Sequence, residues 1–581
     1  MTQITRRDFI KLTGLTAAAS ALAACAPDQP PSVSPTAPPA TYAPAEPILP
    51  VPPENLPDLS IIALNRLAFG PRPGDLEAFQ SLGATGEERL AAYVEGQLYP
   101  ESIDDSEWEA RLASLGFETL HKSLEDLFRE HIVENPYDDN DDRHWQWFVL
   151  PADETAEVTF LKAIYSRRQL QEMLADFWHN HFNVYGWHED ATPLFASYDR
   201  DVIRAHLFGN FRQFLEAVAG HPSMLYYLDN RSNSDAGPNE NFARELFELH
   251  TLGAGSYLGV RDQASVEKDA SAVAVGYVDN DVYEAARCFT GWRVDDDTGE
   301  WEDDVGMSGR FLYYKPWHDR FNKLILGQYL PADQEDMKDA RDVLDLLAAH
   351  PGTARHVARK LVRRFVSDDA PEGLVQAAAD AFLAHKDSPD QLRQVYRVIL
   401  LSPEFRQTWG GKIKRPFEFA AAMFRALNAD FARVPGGIRW TYYMMGQGLF
   451  EHHPPDGYPD AATAWANSMA MLYGWNLTVG VVDNWWNDDE EGRRAVVDLR
   501  AQTPPDPSTG SGQRLRTAAL LTDFWIARLL GRALPEDSRQ AIIKVMAGDY
   551  APDDELSDDD INWRLSSAVA LVLMTPEFRM R

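Results

Sequence analysis

The stretch VTFLKAIYSRRQLQEMLADFW, residues 158–178, decides the fold class. Its apolar side chains fall at Val158, Leu161, Ile164/Tyr165, Met173/Leu174 and Phe177/Trp178. Spacing of three and four lines them along one side of an α-helix, whereas a half-buried strand would alternate every second residue. The stretch therefore reads as one long amphipathic helix. Comparable runs occupy 59–69, 87–98, 199–220, 239–252, 281–292, 336–366, 371–401, 415–430, 460–475, 514–530 and 559–574, with Gly and Pro between them. The expected class is all-α: a large multi-helix globular domain, in one or two helical subdomains, with long irregular loops.

Residues 1–25 read as an export signal rather than as part of the fold. Thr5-Arg6-Arg7-Asp8-Phe9-Ile10-Lys11 is a twin-arginine motif, and Leu12 to Ala24 is too short an apolar run to remain as a membrane span. The run ends in Leu22-Ala23-Ala24-Cys25, a lipoprotein cleavage pattern, so Cys25 is expected to carry the lipid that anchors the protein to the membrane. Residues 26–57 hold twelve prolines and no helical period, the composition of an extended tether. The helical region then runs from 58 to 410, followed by a helical subdomain over 411–581. A short echo links the two: YRVILLSPEF (396–405) and AVALVLMTPEF (568–578) each end an apolar helix at Ser/Thr-Pro.

The formal charge is −34. Loss of Arg6, Arg7, Lys11 and Asp8 with the signal removes a net +2, which leaves −36. Such a surface repels phosphate backbones, so nucleic acid is not an expected partner. Cys288 is the sole cysteine besides Cys25, which excludes an intramolecular disulfide in the mature chain. Stability has to come from packing.

The densest candidate for chemistry is PNENFARELFELHTLG, residues 238–253. At about 100° per residue, Glu240, Arg244, Glu248, Asn241 and Glu245 share one broad face, while Phe242, Leu246 and Leu249 form the buried one. His250 lies on neither. A capped surface helix accounts for part of this: Asn239 caps, Glu240 meets the helix dipole, and Glu240–Arg244–Glu248 form i,i+4 pairs. Asn239, Asn241, Glu245 and Glu248 are left without that explanation.

Further clusters surround it in sequence. Asp176-Phe177-Trp178-His179-Asn180-His181 ends a helix, with Asp176 and His179 at a usable metal-ligand spacing. Asp281 and Glu284 fit a helix-start pattern. His318-Asp319 offers a base, a metal ligand or a turn. Gly446-Gln447-Gly448 and His452-His453-Pro454-Pro455-Asp456-Gly457-Tyr458 form a loop that could line a pocket. Phosphate loops, nucleophile elbows, H-E-x-x-H, E-x-x-H and C-x-x-C are absent.

Taken together and in this order, LNRLAFGPRPGDL (64–76), DFWHNHFNV (176–184), HPSMLYYLDN (221–230), NENFARELFELHTLG (239–253), DVYEAARCFTGW (281–292), HDRFNKLILG (318–327), HPGTARHVARKLVRRFV (350–366), SPEF (402–405) and GQGLFEHHPPDGY (446–458) resemble the bacterial family known as Domain of Unknown Function 1800. The resemblance implies an exported helical protein, with an exported sulfatase-like or phosphatase-like companion as a partner, and carries over no activity. Its pattern maps onto Trp178, Asn180, His181, Asp229, Asn230, Asn239, Glu240, Asn241, Arg244, Glu245, Glu248, Thr290, Gly291, Trp292, His318 and Asp319. Gly457-Tyr458 stands where the family usually has Gly-Trp.

Two functions follow. In the first, the chain is a surface-anchored hydrolase acting on an extracellular polymer such as a glycan. Glu245, Glu248, His181, His318 and Asp319 would be catalytic, and Asn180, Asp229, Asn239, Glu240, Asn241, Arg244 and Trp292 would hold substrate. His181, His318 and Asp319 are then candidate ligands for a divalent metal that activates water. In the second, the same residues form a polar network inside a non-catalytic scaffold that positions a companion enzyme. Convergence of His181, Glu245, Glu248 and His318 on one cavity would favour the first.

Overall fold

Helix dominates the computed structural model, which describes residues 56–138, 140–296, 306–487, 493–505 and 515–581. The signal segment, Cys25 and nearly all of the Pro-rich tether lie outside the described residues. Three two-stranded antiparallel ribbons accompany the helices: Trp292–Asp296 with Met307–Tyr313, Lys323–Ile325 with Gln328–Leu330, and Asp430–Phe431 with Ala495–Val496. No described helix is long and apolar enough to cross a membrane.

The deciding stretch forms two helices rather than one. Asp142–Tyr165 ends at Ser166, and Gln169–His181 begins three residues later. The break is held by side chains from remote positions. Asp105 accepts from Ser166 Oγ and from the Arg167 amide, both at 2.7 Å, and Gln97 Oε1 accepts from the Leu170 amide at 3.0 Å. Two buried side chains from earlier helices thus take the polar groups that a helix end exposes. Apolar periodicity passes through such a break unchanged.

Phe160, in the C-terminal part of the first of these helices, is a hub of the core. Its ring lies 5.5–6.2 Å from those of Phe417, Phe424, Phe431 and Tyr442. The aromatic core therefore runs across residue 410 without a gap, because Pro416–Ala426 packs directly on Asp142–Tyr165. At the other end, Trp178 donates to Tyr396 Oη (2.8 Å), which donates on to the Leu207 carbonyl (2.7 Å). The SPEF and TPEF motifs start short helices at Pro403 and Pro576, each burying its phenylalanine, Phe405 and Phe578.

A cluster of buried charges ties these helices together. Asp176 and Glu418 face Arg364, Arg415 and Arg581. Arg364 Nη2 lies 2.8 Å from Asp176, Arg581 Nη1 lies 2.9 Å from Glu418, and Arg364–Glu418 and Arg415–Asp176 are closer contacts. Burial raises the Glu418 carboxyl, but the three guanidinium groups outweigh it and hold it far below the usual range. Removing one member of such a cluster leaves a buried charge without its partner, at a cost of roughly 3–5 kcal/mol. Glu418→Gln is accordingly expected to lower the stability of the whole unit by that amount in urea unfolding. A loss below about 1 kcal/mol would contradict the assignment.

Candidate functional site

The Gln169–His181 helix, the Pro351–Phe365 helix and loop 452–460 enclose a cavity of about 300 Å³. Phe177, Asn180 and His181 come from the first, Lys360, Arg363 and Arg364 from the second, and His452, Asp456 to Asp460 from the loop; Arg415 closes the floor.

The loop is fastened by asparagines of the helix exit. Asn183 Nδ2 donates to the His452 and Pro454 carbonyls at 2.9 and 2.8 Å. Asn180 Oδ1 accepts from the Tyr458 amide at 3.0 Å. Gly457 has φ +71°, and a Cβ there would collide with the Asn180 carbonyl, so both the conformation and the space require glycine. Tyr227 Oη adds a hydrogen bond to the His453 carbonyl at 2.5 Å. In this setting His452 Nε2 lies 2.8 Å from Asp456 Oδ1. If Nε2 carries the proton toward the carboxylate, Nδ1 is the free base nitrogen.

Of the residues predicted from sequence, His181 and Asn180 reach this cavity. His181 points its Nε2–H at the His250 carbonyl (3.1 Å), and His356 points its Nε2–H at the Leu249 carbonyl (3.1 Å). Both carbonyls end the PNENFARELFELHTLG stretch, which is α-helical over Glu240–Glu245 and widens to a π-turn over Leu246–His250. The change of pitch shifts Glu248 and His250 from the positions that a uniform helix predicts. His250 is fully buried beside Phe182, and neither of its ring nitrogens has a hydrogen-bond partner.

The rest of that stretch is divided. Asn239 caps the helix by accepting from the Asn241 amide (3.0 Å), and Asn241 Nδ2 reaches the Leu228 carbonyl (3.3 Å). Arg244 pairs with Glu240 at 2.8 Å and Asp279 at 3.4 Å. Asp229 holds a left-handed backbone, φ 58°, and its carbonyl accepts from Asn239 Nδ2 and Ser232 Oγ. Glu245 is half-buried, and burial followed by Glu248 and Asp456 raises its carboxyl above the usual range. Asp456 acts on Glu245 electrostatically, but neither Glu245 nor Glu248 lines the cavity.

His318, Asp319 and Trp292 lie elsewhere. Arg287 binds Asp319 through two bonds, at 2.7 and 3.0 Å, and His318 Nδ1 meets the Thr290 carbonyl at 3.0 Å. Lys323 bridges to Asp339, which also faces His318 Nε2 at 3.4 Å. Burial would raise Asp319, but bonds from Arg287 and the Phe321 amide hold it below its usual range. Trp292 is buried between Phe289 and Phe311. Asp281 accepts from the Val278 and Leu326 amides, fulfilling its helix-start role. His181 and His318/Asp319 therefore belong to separate networks, and no group of three or more His, Cys, Asp or Glu among the described residues is arranged to hold a metal ion. The donors proposed for a divalent metal do not fit one.

Behind the cavity, His181, His250 and His356 form a cluster, with His181 ring centroids 6.3 Å from His250 and 6.1 Å from His356. Burial, reinforced by Lys360, lowers His250 to about 3 and His356 to about 4, and takes His181 well below its usual value. These groups stay neutral in the fold but take up protons below about pH 6.5 once unfolded. Their stabilising contribution is complete above that pH and is lost as pH falls toward 4 and 3. Each contributes a slope of about 1.4 kcal/mol per pH unit within that window. His250→Phe is expected to flatten the acid decline of unfolding free energy by about one such increment; an unchanged slope would contradict the buried neutral assignment.

Neither a curated protein nor a solved structure gives a significant match to the chain. One family model does, described as protein of unknown function (DUF1800), and it covers residues 62–580, from the first described helix to the last. The chain belongs to the DUF1800 family.

Proposed function

We propose that the protein is an exported enzyme of hydrolase type, acting at the cavity beneath loop 452–460 on an extracellular polymer such as a glycan. The twin-arginine signal and the lipid site at Cys25 support a location on the cell envelope, with the Pro-rich segment as tether.

The observation that carries the reading is the His452–Asp456 pair, 2.8 Å apart on the wall of a 300 Å³ cavity. Asp456 orients the imidazole and supports its charge, and His452 Nδ1 takes a proton from an attacking water. Tyr458, whose ring lies 4.6 Å from that of His452, offers an aromatic face to a sugar ring.

A second reading has its own support. Trp440 and Tyr443 on Gly436–Met444, with Met469, Leu472 and Trp475 on the adjoining Ser468–Val482 helix, are exposed large hydrophobics. Such a patch suits a binding surface, and the companion enzyme expected from the family resemblance is its natural occupant.

Reducing-end release from a panel of neutral and acidic polysaccharides tests the first reading. Wild type is expected to act on at least one. His452→Ala is expected to lose about 10²-fold or more in kcat with little change in KM. Undiminished turnover in His452→Ala would refute the catalytic role.

A further inference from the structure

The Pro351–Phe365 helix sends three cations to the cavity, and they differ in what balances them. Arg364 is held by Asp176 and Glu418. Arg363 uses its Nε alone, on the Asp368 carbonyl at 3.2 Å, which leaves both terminal nitrogens uncommitted among the described residues. Lys360 makes no hydrogen bond or ion pair with any described residue, although its side chain lines the cavity.

The carboxylates nearest Lys360 favour its charge but are engaged elsewhere. Asp460 is bound by Lys412 at 3.2 Å, and Asp456 is taken by His452 at 2.8 Å. Behind it stand the neutral rings of His181, His250 and His356, and beside it the cation Arg363. In a chain of net charge −34, two cations with no ion pair to a described carboxylate face one cavity. Lys360 is half-buried and Arg363 is exposed. The half-buried charge is unfavourable unless a ligand completes it.

We infer that the cavity binds an oxyanion carried on a sugar-sized ring, a carboxylate or a phosphate ester, with Lys360 and Arg363 as the anion subsite. Tyr458 and Phe177, which also line the cavity, supply the apolar flanks for the ring. A 300 Å³ space matches one such ring rather than a bare ion. The inference rests on the cavity being the ligand site proposed above, but not on the base chemistry assigned to His452.

Two consequences follow from the placement of Lys360. Burial lowers its ammonium to about 8, opposed by Asp460 and Asp456 and aided by Arg363. Below that pH the empty site holds an unbalanced charge. Anion binding is therefore strongest below about pH 8 and weakens above it as the free site loses its proton. The same charge weakens the ligand-free fold at neutral pH, because a lysine whose folded value is depressed gains stability only as pH rises from about 8 toward its unfolded value. Lys360→Met should thus raise the Tm of the empty protein while removing its ligand response, a trade of function against stability.

Calorimetric titration and thermal shift at pH 7 test this with glucuronate, glucose 6-phosphate and glucose. Wild type is expected to bind at least one of the two anions, with a rise in Tm that equal glucose does not produce. Response to glucuronate alone assigns a carboxylate subsite, and response to the phosphate ester alone a phosphate subsite. Lys360→Met and Lys360→Gln are each expected to bind at least about tenfold more weakly, and Arg363→Gln to weaken binding in the same direction. Binding is read without turnover, which separates this subsite from the hydrolytic reading. No anion response in wild type, or equal binding by both Lys360 variants, would overturn the inference whatever the outcome of the polysaccharide assay.

Discussion

Five charged side chains from four parts of the chain, Asp176, Arg364, Arg415, Glu418 and Arg581, pair with one another in the interior, and the rest of the architecture is arranged around them. Glu418 alone meets three guanidinium groups. Such a cluster tolerates little displacement, since each member depends on the others to offset its desolvation. It fixes the end of the Gln169–His181 helix against the Pro351–Phe365 and Pro416–Ala426 helices, and so sets the cavity floor. Its carboxylates hold Arg364 and Arg415, whereas the next cations along the wall, Lys360 and Arg363, pair with no described carboxylate.

The polar stretch 238–253 contributes to this from behind. Its final carbonyls are taken by His181 and His356, and Gly253, at φ +84°, packs against the His356 ring where a side chain would not fit. Most of its polar residues hold the backbone: Asn239 and Asn241 cap and clamp, and Glu240 pairs with Arg244. Glu245 is different, with a carboxyl raised by burial, Glu248 and Asp456. Asn180 and Asn183 hold loop 452–460 from the helix exit. Tyr458 adds an aromatic wall beside the Gly457 turn.

The helical class was legible because apolar spacing survives almost everything else in the sequence. The break at Ser166 was not, since Asp105 and Gln97 create it from 61 to 73 residues away. Among site residues, His181 and Asn180 could be found from their helix-end cluster, and loop 446–458 from its glycines and histidines. His318 and Asp319 looked equally reactive in sequence, but Arg287 and Asp339, which join them to a separate network, lie far from them in the chain. Lys360 carried no local signal at all. Within HPGTARHVARKLVRRFV it is one of five cations on a basic helix, and nothing short of the packing distinguishes it from solvated neighbours such as Arg355 and Arg359, which pair with Glu372.

The account depends on the position of one uncompensated charge, and anomalous diffraction from crystals soaked in selenate or bromide locates it directly. A peak within hydrogen-bonding reach of Lys360 Nζ and the Arg363 guanidinium, abolished in Lys360→Met, is the predicted result. Anion density confined to the protein surface, with the cavity between Tyr458 and Phe177 empty of it, would contradict the claim that the buried ionic cluster leaves Lys360 as an anion site.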